Sequence, residues 1–307
     1  MEKSVIVIVG PTCSGKTDLG INLAQKFGTE IISADSRQIY KYLDIGTAKP
    51  SLDELKLVKH HFIDELAPDV NYNISKFEID SLKICEDLFA KSKIPIVVGG
   101  SGLYVNAIVD GIFDTVDTDE EYRKLLHKWR DEHGNEFLYE ELQKVDPVSA
   151  EKMLPQNWKR VMRALEVFHL SGKPIWKHHE DFERESDIEF LLYGLRWDRK
   201  ILYSNIELRV DKMIEAGLVE EVKKTLEMGY SKNVNALNTV GYKEIIEFLE
   251  DKINLERAIE LIKRNTRRFA KRQLTWFRRD ERIKWFDVAC KSDFDEIANS
   301  IYNEISD

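Results

Sequence analysis

Cysteine is scarce in this chain. Cys13, Cys85 and Cys290 lie far apart. An odd number with no Cys-x-x-Cys pair excludes a disulfide scaffold and a thiolate metal or redox motif. Histidine does not fill the gap. His60-His61 and His178-His179 are adjacent pairs without ligand spacing around them, so no zinc site is expected and they read as surface or loop residues. Long apolar runs are also missing. The opening run, Val5 to Val9, is far short of the roughly 20 residues that a spanning helix needs. It leads into a glycine-rich loop, so neither a membrane span nor a secretory signal is expected, and the cytoplasm is the default. There is no internal repeat, no low-complexity tract and no exposed heptad or hydrophobic strip, which favours a monomer.

Excess positive charge is absent overall. The net charge of −9 argues against non-specific coating of nucleic acid. Its distribution is uneven, however: Arg257 to Lys284 carries eleven Lys/Arg against three Asp/Glu. A basic segment on an acidic chain is either a polyanion footprint or a solvated helix face.

What is present is strand and helix in alternation. Val5 to Val9 is a buried strand pattern, residues 16–27 read as a helix, Glu30 to Ser33 as a strand, 74–91 as a helix and Ile94 to Val98 as a strand. That order predicts an α/β fold, a parallel sheet flanked by helices. From residue 116 to 190 strand patterns vanish and charged helical stretches such as 119–130 and 159–170 replace them. The expected organisation is a P-loop catalytic core of residues 1–115 and 191–307, interrupted by a small all-helical insertion domain, 116–190. Phe190 to Leu195 reads as the returning strand, with helices at 199–228, 241–250 and 254–278.

Gly10-Pro11-Thr12-Cys13-Ser14-Gly15-Lys16-Thr17 matches G-x-x-x-x-G-K-[ST] in full, between strand and helix as that motif requires. Backbone N–H groups and the helix N-terminus would cradle phosphate oxygens, Lys16 would add a point charge, and Thr17 a hydroxyl for magnesium. The loop specifies a polyphosphate, not a nucleoside triphosphate. Ile94 to Val98 ends in Gly99-Gly100, where a motor ATPase would have an aspartate, and no arginine-rich lid follows a third strand. Asp35 follows the second strand, on the edge of a doubly wound sheet where ligands lie. A general base, an outer magnesium ligand and a turn aspartate are all open for it. Gly99 to Tyr104 would face the same edge.

Together these segments resemble the tRNA dimethylallyltransferase (isopentenyltransferase) family of bacterial type. The resemblance rests on Gly10 to Thr17, Asp35 to Tyr40, Asp44 to Pro50, Val98 to Tyr104, Arg160 to Val167, Val240 to Tyr242, and Thr266 through Lys271 to Trp276. It implies transfer of a dimethylallyl group from dimethylallyl diphosphate to N6 of the adenosine 3′ of the anticodon in tRNA, with Mg2+ as cofactor. It implies Asp35 as general base. It places Ser36, Arg37, Gln38, Ser101, Arg123, Lys159, Arg160, Val161, Met162 and Arg163 near tRNA. Asn238, Thr239, Val240, Gly241, Tyr242 and Lys243 join them, as do Lys271, Arg272, Gln273, Leu274, Thr275, Trp276, Phe277 and Arg278. Arg209 matches the family's arginine in its helix, where either a diphosphate contact or a surface salt bridge is open. Ser101 stands where many relatives have threonine, Cys13 where alanine is more usual, and Lys159-Arg160 where relatives often have Gln-Arg. No zinc finger follows Trp276.

On the basic helix, Lys263-Arg267-Lys271 and Arg264-Arg268-Arg272 form two i, i+4 ridges, while Ile262, Phe269 and Trp276 are expected to face the core. Two other readings compete: a small-metabolite P-loop kinase with this helix as lid, and an RNA-binding protein with a vestigial loop.

Overall fold

The computed structural model describes residues 3–112, 118–182, 184 and 186–306. It divides into two compact units, Met1–Val109 with Asp187–Asp307, and Asp110–Ser186. The expected boundary at 115/116 lies outside the described residues. The one at 190/191 falls inside a strand that starts earlier, because Lys3 to Val9 pairs in register from Ile188 onward.

The larger unit is built on strands β1 (Lys3–Val9), β2 (Ile31–Ala34), β3 (His60–His61), β4 (Ile96–Gly99), β5 (Ile188–Trp197) and β6 (Lys284–Val288). They form one sheet in the order β3-β2-β4-β1-β5-β6, with every pair parallel. Alternation within β1 explains why the sheet needs helices on both faces. Val5, Val7 and Val9 enter one core cluster and Ile6 and Ile8 another. The helices are α1 (Lys16–Phe27), α2 (Leu52–Leu57), α3 (Ile74–Phe89) and α4 (Gly102–Asp110) before the second unit.

Register places the site. Gly99 pairs with Val9 on one side and Ala34 on the other, so β1, β2 and β4 end together. Their following loops leave from one sheet edge. Gly99 cannot be replaced there, because a Cβ would stand 2.3 Å from the Ala34 carbonyl oxygen.

The second unit holds, among its described residues, helices only: α5 (Glu120–Val145), α6 (Pro147–Glu151), α7 (Trp158–Ser171) and α8 (Ile175–Glu180). α5 runs far past the expected end at residue 130, with a break at Gly134 (φ 87°) that joins two helices across a kink. Leu126, Leu138, Leu142, Val161, Met162 and Leu165 form its core.

The larger unit then resumes with α9 (Arg199–Glu215), α10 (Leu218–Glu227), α11 (Tyr242–Leu249), α12 (Leu255–Phe277) and α13 (Asp293–Ser306). The expected single helix 199–228 is two, because Gly217 (φ 97°) stops one and caps the next. Two strands were not expected. β6 is amphipathic and charged, and β3 is only a dipeptide. The His60-His61 pair is therefore not loop but a half-buried sheet edge: His61 Nε2 lies 2.7 Å from Glu30 Oε2, and His60 Nδ1 2.9 Å from the Val58 carbonyl. His178 sits on α8 with Ser171 Oγ at 2.9 Å.

Candidate active site

The loop after β1 is shaped for an anion. α1 begins at Gly15 (φ 85°) with no side chain capping its first N–H groups, which leaves them for a ligand. Cys13 also takes a left-handed φ of 64°, and successive N–H groups around such a residue form a concave nest. Gly15 is obligatory, because a Cβ would enter the Phe294 ring of α13 at 2.0 Å. Cys13 packs with Leu202 and Ile206 of α9 and Ala270 of α12, so the thiol docks the loop on both helices.

Lys16 Nζ reaches back to the Pro11 carbonyl at 2.6 Å. Desolvation, and next the neighbouring charge of Arg209, lower its pKa from 10.5 to about 8, while Cys13 and then Asp35 act the other way. The charges of Arg209 and Asp35 are thus both felt at Lys16. A second positive charge that close is unfavourable until a polyanion neutralises both. Arg209, on α9, makes no salt bridge among the described residues. Thr17 is half-buried and its hydroxyl has no hydrogen-bond partner there, leaving its oxygen open to a cation. That donor set fits magnesium, which binds through one or two protein oxygens together with substrate phosphates and water.

Asp35 Oδ1 accepts the Arg37 backbone N–H at 2.8 Å, which fixes the carboxylate's turn and leaves its other oxygen open. Tyr104 of α4 lies nearby, stacked on Phe77 at 4.3 Å, its phenol pushed up to about 12 chiefly by burial. Ser101 Oγ accepts the Ser36 N–H at 3.3 Å and joins the turns after β2 and β4. Gln38 is held from three sides: Ser33 Oγ donates to its Oε1 at 3.0 Å, and its Nε2 donates to the Thr47 and Ala48 carbonyls.

The Asp44 to Pro50 string thus becomes intelligible as a scaffold. Lys49 Nζ, buried, ties Tyr40 O, Asp44 and Asp64. Gly46 lies flat on Tyr242, where a Cβ would stand 2.4 Å from the ring. Arg37 Nη2 reaches Asn235 Oδ1 at 3.4 Å, which sets the Asp35 turn beside the segment leading to Asn238 through Lys243. Glu244, also buried, accepts the Gly241 N–H at 2.8 Å and Asn265 Nδ2 of α12 at 2.7 Å.

The positions expected near tRNA separate into two groups. Arg37, Asn238, Lys243, Lys271, Arg272, Thr275 and Arg278 of the larger unit are accessible, as are Lys159 and Arg160 of the smaller one. The side chains of Val161, Met162, Tyr242, Gln273 and Phe277 are buried. Trp276 bonds Asn106 of α4 at 3.0 Å and packs where a Gly102 Cβ would be. Phe269, expected in the core, is exposed, because the buried face of α12 runs through Ala258, Ile262, Ala270, Gln273 and Phe277. One basic ridge is partly consumed by α9: Lys263 pairs with Asp211 and Arg267 with Glu207, each at 2.6 Å. Arg264, Arg268, Lys271 and Arg272 have no carboxylate partner among the described residues.

In the smaller unit, the buried Glu166 binds Arg123 at 2.7 Å and Arg163 at 2.7 Å, and accepts the Asp119 N–H at 3.0 Å. Glu166, Glu221 and Glu244 were not legible as functional positions; a glutamate on a helix reads as solvated surface unless its partners are known.

Fold and site define a P-loop α/β protein with an anion-shaped loop and a carboxylate-bearing turn on one sheet edge, which a basic helix crosses. The chain belongs to the IPP transferase family, whose profile matches residues 38–280. A tRNA dimethylallyltransferase of Carboxydothermus hydrogenoformans is 47% identical over 306 residues, 99% of this chain and 98% of that one. One from Acetivibrio thermocellus is 46% identical over 302 residues, covering 98% and 96%. Among solved structures, the full-length tRNA isopentenylpyrophosphate transferase of Bacillus halodurans superposes with a TM-score of 0.73 at 37% identity, covering 100% and 97%. A eukaryotic dimethylallyltransferase acting on tRNA reaches a TM-score of 0.82 at 30% identity, covering 97% of this chain and 77% of that one.

Proposed function

We propose that this chain transfers the dimethylallyl group of dimethylallyl diphosphate to the exocyclic N6 of an adenosine in tRNA, the one 3′ of the anticodon, releasing diphosphate. It works as a monomer in the cytoplasm; among the described residues no helix is long and apolar enough to cross a membrane. The observation that carries the reading is that the uncapped anion loop after β1 and the Asp35 turn after β2 leave the same sheet edge, where β1, β2 and β4 end together.

Two cations suit a diphosphate, and the carboxylate suits a nucleophile that must lose a proton. The adenine amino group is weak because its lone pair is delocalised into the ring. As N6 attacks the first prenyl carbon, that carbon's bond to the diphosphate oxygen breaks and the N6 proton passes to Asp35. General base assistance of this kind is worth about 10²–10⁴-fold. Negative charge grows on the departing oxygen, where loop N–H groups, Lys16 and Arg209 stabilise it. Magnesium held by Thr17 and the diphosphate would add Lewis-acid stabilisation of the same charge. The loop therefore holds a leaving group rather than a phosphoryl donor. The adenine must leave its stack to reach Asp35, at a cost of a few kcal/mol. The exposed cations of α12, and separately those of α7 and α5, supply phosphate contacts that offset it.

The test is transfer of label from radioactive dimethylallyl diphosphate to unmodified tRNA with magnesium, beside an ATP control. Label in the tRNA is expected. ATP turnover with a small acceptor, and no labelled tRNA, would replace this reading with a kinase.

A further inference from the structure

Gln273 projects from the basic helix α12 inward, onto the loops after β1 and β4. Its Oε1 accepts the Thr12 backbone N–H at 2.8 Å, and its Nε2 donates to the Gly100 carbonyl at 2.8 Å. The side chain is buried, 7% exposed. It therefore bridges the loop after β1 and the turn after β4. Each end of the amide makes one of these bonds, and burial keeps the side chain from the surface. Gly100 makes room for it, since a Cβ there would stand 2.4 Å from Nε2.

We propose that Gln273 is a positioning residue for the diphosphate, acting through Thr12, and not an RNA contact; this rests on the loop being the diphosphate site. Thr12 opens the nest. Its N–H would otherwise be an unpaired donor free to turn, and the left-handed Cys13 comes next. Fixing the Thr12 peptide plane fixes the direction of the N–H groups that follow it. Lys16 bound to the Pro11 carbonyl closes the loop from the other side. The neighbours Lys271 and Arg272 are exposed, so one turn of α12 presents cations outward and this strut inward.

The experiment measures two affinities on the full chain: inorganic diphosphate with magnesium by calorimetry, and an unmodified anticodon stem-loop RNA by filter binding. Gln273→Met removes both hydrogen bonds at nearly constant volume. Gln273→Glu keeps the acceptor toward Thr12 and loses the donor toward Gly100, so a Met variant that fails to fold does not end the test. Diphosphate affinity is expected to fall at least tenfold in Gln273→Met and less in Gln273→Glu, with RNA affinity within twofold of the parent. Weakened RNA binding with intact diphosphate binding would overturn the proposal, as would equal loss of both or no change in either. A parent protein that binds no diphosphate would take down the reading of the loop as well, which separates the two failures.

Discussion

The Tyr242 hydroxyl donates to Glu221 Oε1 at 2.6 Å, inside the protein. The same carboxylate accepts the N–H groups of Asp44 at 2.9 Å, Ile45 at 2.7 Å and Gly46 at 3.1 Å. One helix-borne glutamate thus organises the loop whose Thr47 and Ala48 carbonyls hold Gln38, next to the turn of Asp35. Burial, and then the Glu221 charge, push the Tyr242 phenol strongly upward, so it remains a donor at every working pH.

Removing Glu221 should therefore cost more than removing Tyr242. Tyr242→Phe loses one charge-assisted hydrogen bond, about 1.5–3 kcal/mol. Glu221→Ala leaves three N–H groups and a phenol without their acceptor and should cost more than about 3 kcal/mol. Urea unfolding of both variants checks the order. Equal losses would mean that the loop holds its shape without the carboxylate.

Two glycines, Gly102 under α12 and Gly28 at the end of α1, make a second test. A Cβ at Gly102 would stand 2.4 Å from the Trp276 indole, a rigid ring, whereas at Gly28 nothing lies within 4 Å. Gly102→Ala should destabilise by about 1–3 kcal/mol through overpacking. Gly28→Ala meets only the strain of its φ of 61°. Thermal melts that rank Gly28→Ala as the worse variant by more than the left-handed backbone penalty, about 1–2 kcal/mol, would contradict the close seat of Trp276.

How much of this was legible beforehand follows from the physics of each signal. The P-loop is read from sequence because its chemistry resides in backbone geometry that glycine spacing announces. The place of Asp35 is legible because it directly follows a strand that ends on the common sheet edge. Gln273 and Glu221 are not, because each acts on a backbone group 261 and 175 to 177 residues away and only the folded chain reveals the pairing. The basic helix was legible in charge but not in detail: period seven put Phe269 inside, while packing against α9 and α11 turned it out. β3 was missed since two histidines carry no strand pattern.

The two basic ridges of α12 should behave differently. Arg268 and Arg272 are exposed without carboxylate partners, while Lys263 and Arg267 are held by Asp211 and Glu207. Arg268→Glu with Arg272→Glu should weaken stem-loop binding and lower the slope of log affinity against log salt by about 0.7 for each lost single-strand phosphate contact. Lys263→Ala should change the slope little. A slope altered only by Lys263→Ala would place the RNA on the opposite ridge.

Asp35→Asn keeps the turn, since the amide oxygen still accepts from Arg37 N–H, but no longer takes a proton. Single-turnover prenyl transfer should drop about 10²–10⁴-fold while stem-loop affinity stays within twofold. A comparable loss of RNA affinity would assign Asp35 to binding instead of proton transfer.

The pH response of diphosphate binding follows from Lys16. Its pKa in the free protein is lowered to about 8, first by burial and then by Arg209. The terminal phosphate of dimethylallyl diphosphate loses its last proton near pH 6, so above pH 7 only the protein titrates. Below about 8 the ammonium is charged and affinity is full. As pH rises through 8, the free protein gives up a proton that the complex keeps, and affinity falls by up to tenfold per pH unit. Stability of the ligand-free protein moves the other way. The folded pKa lies below the unfolded value of 10.5, so the cost of burying the ammonium is full below about 8 and is relieved as pH climbs toward 10.5. Arg209→Gln removes one of the two depressing causes, which should move the midpoint of the affinity profile to higher pH while weakening binding at every pH. Calorimetry between pH 7 and 9.5 reads both effects. A weaker profile with an unmoved midpoint would mean that Arg209 meets the diphosphate without acting on Lys16, and the charge crowding inferred for the loop would be wrong.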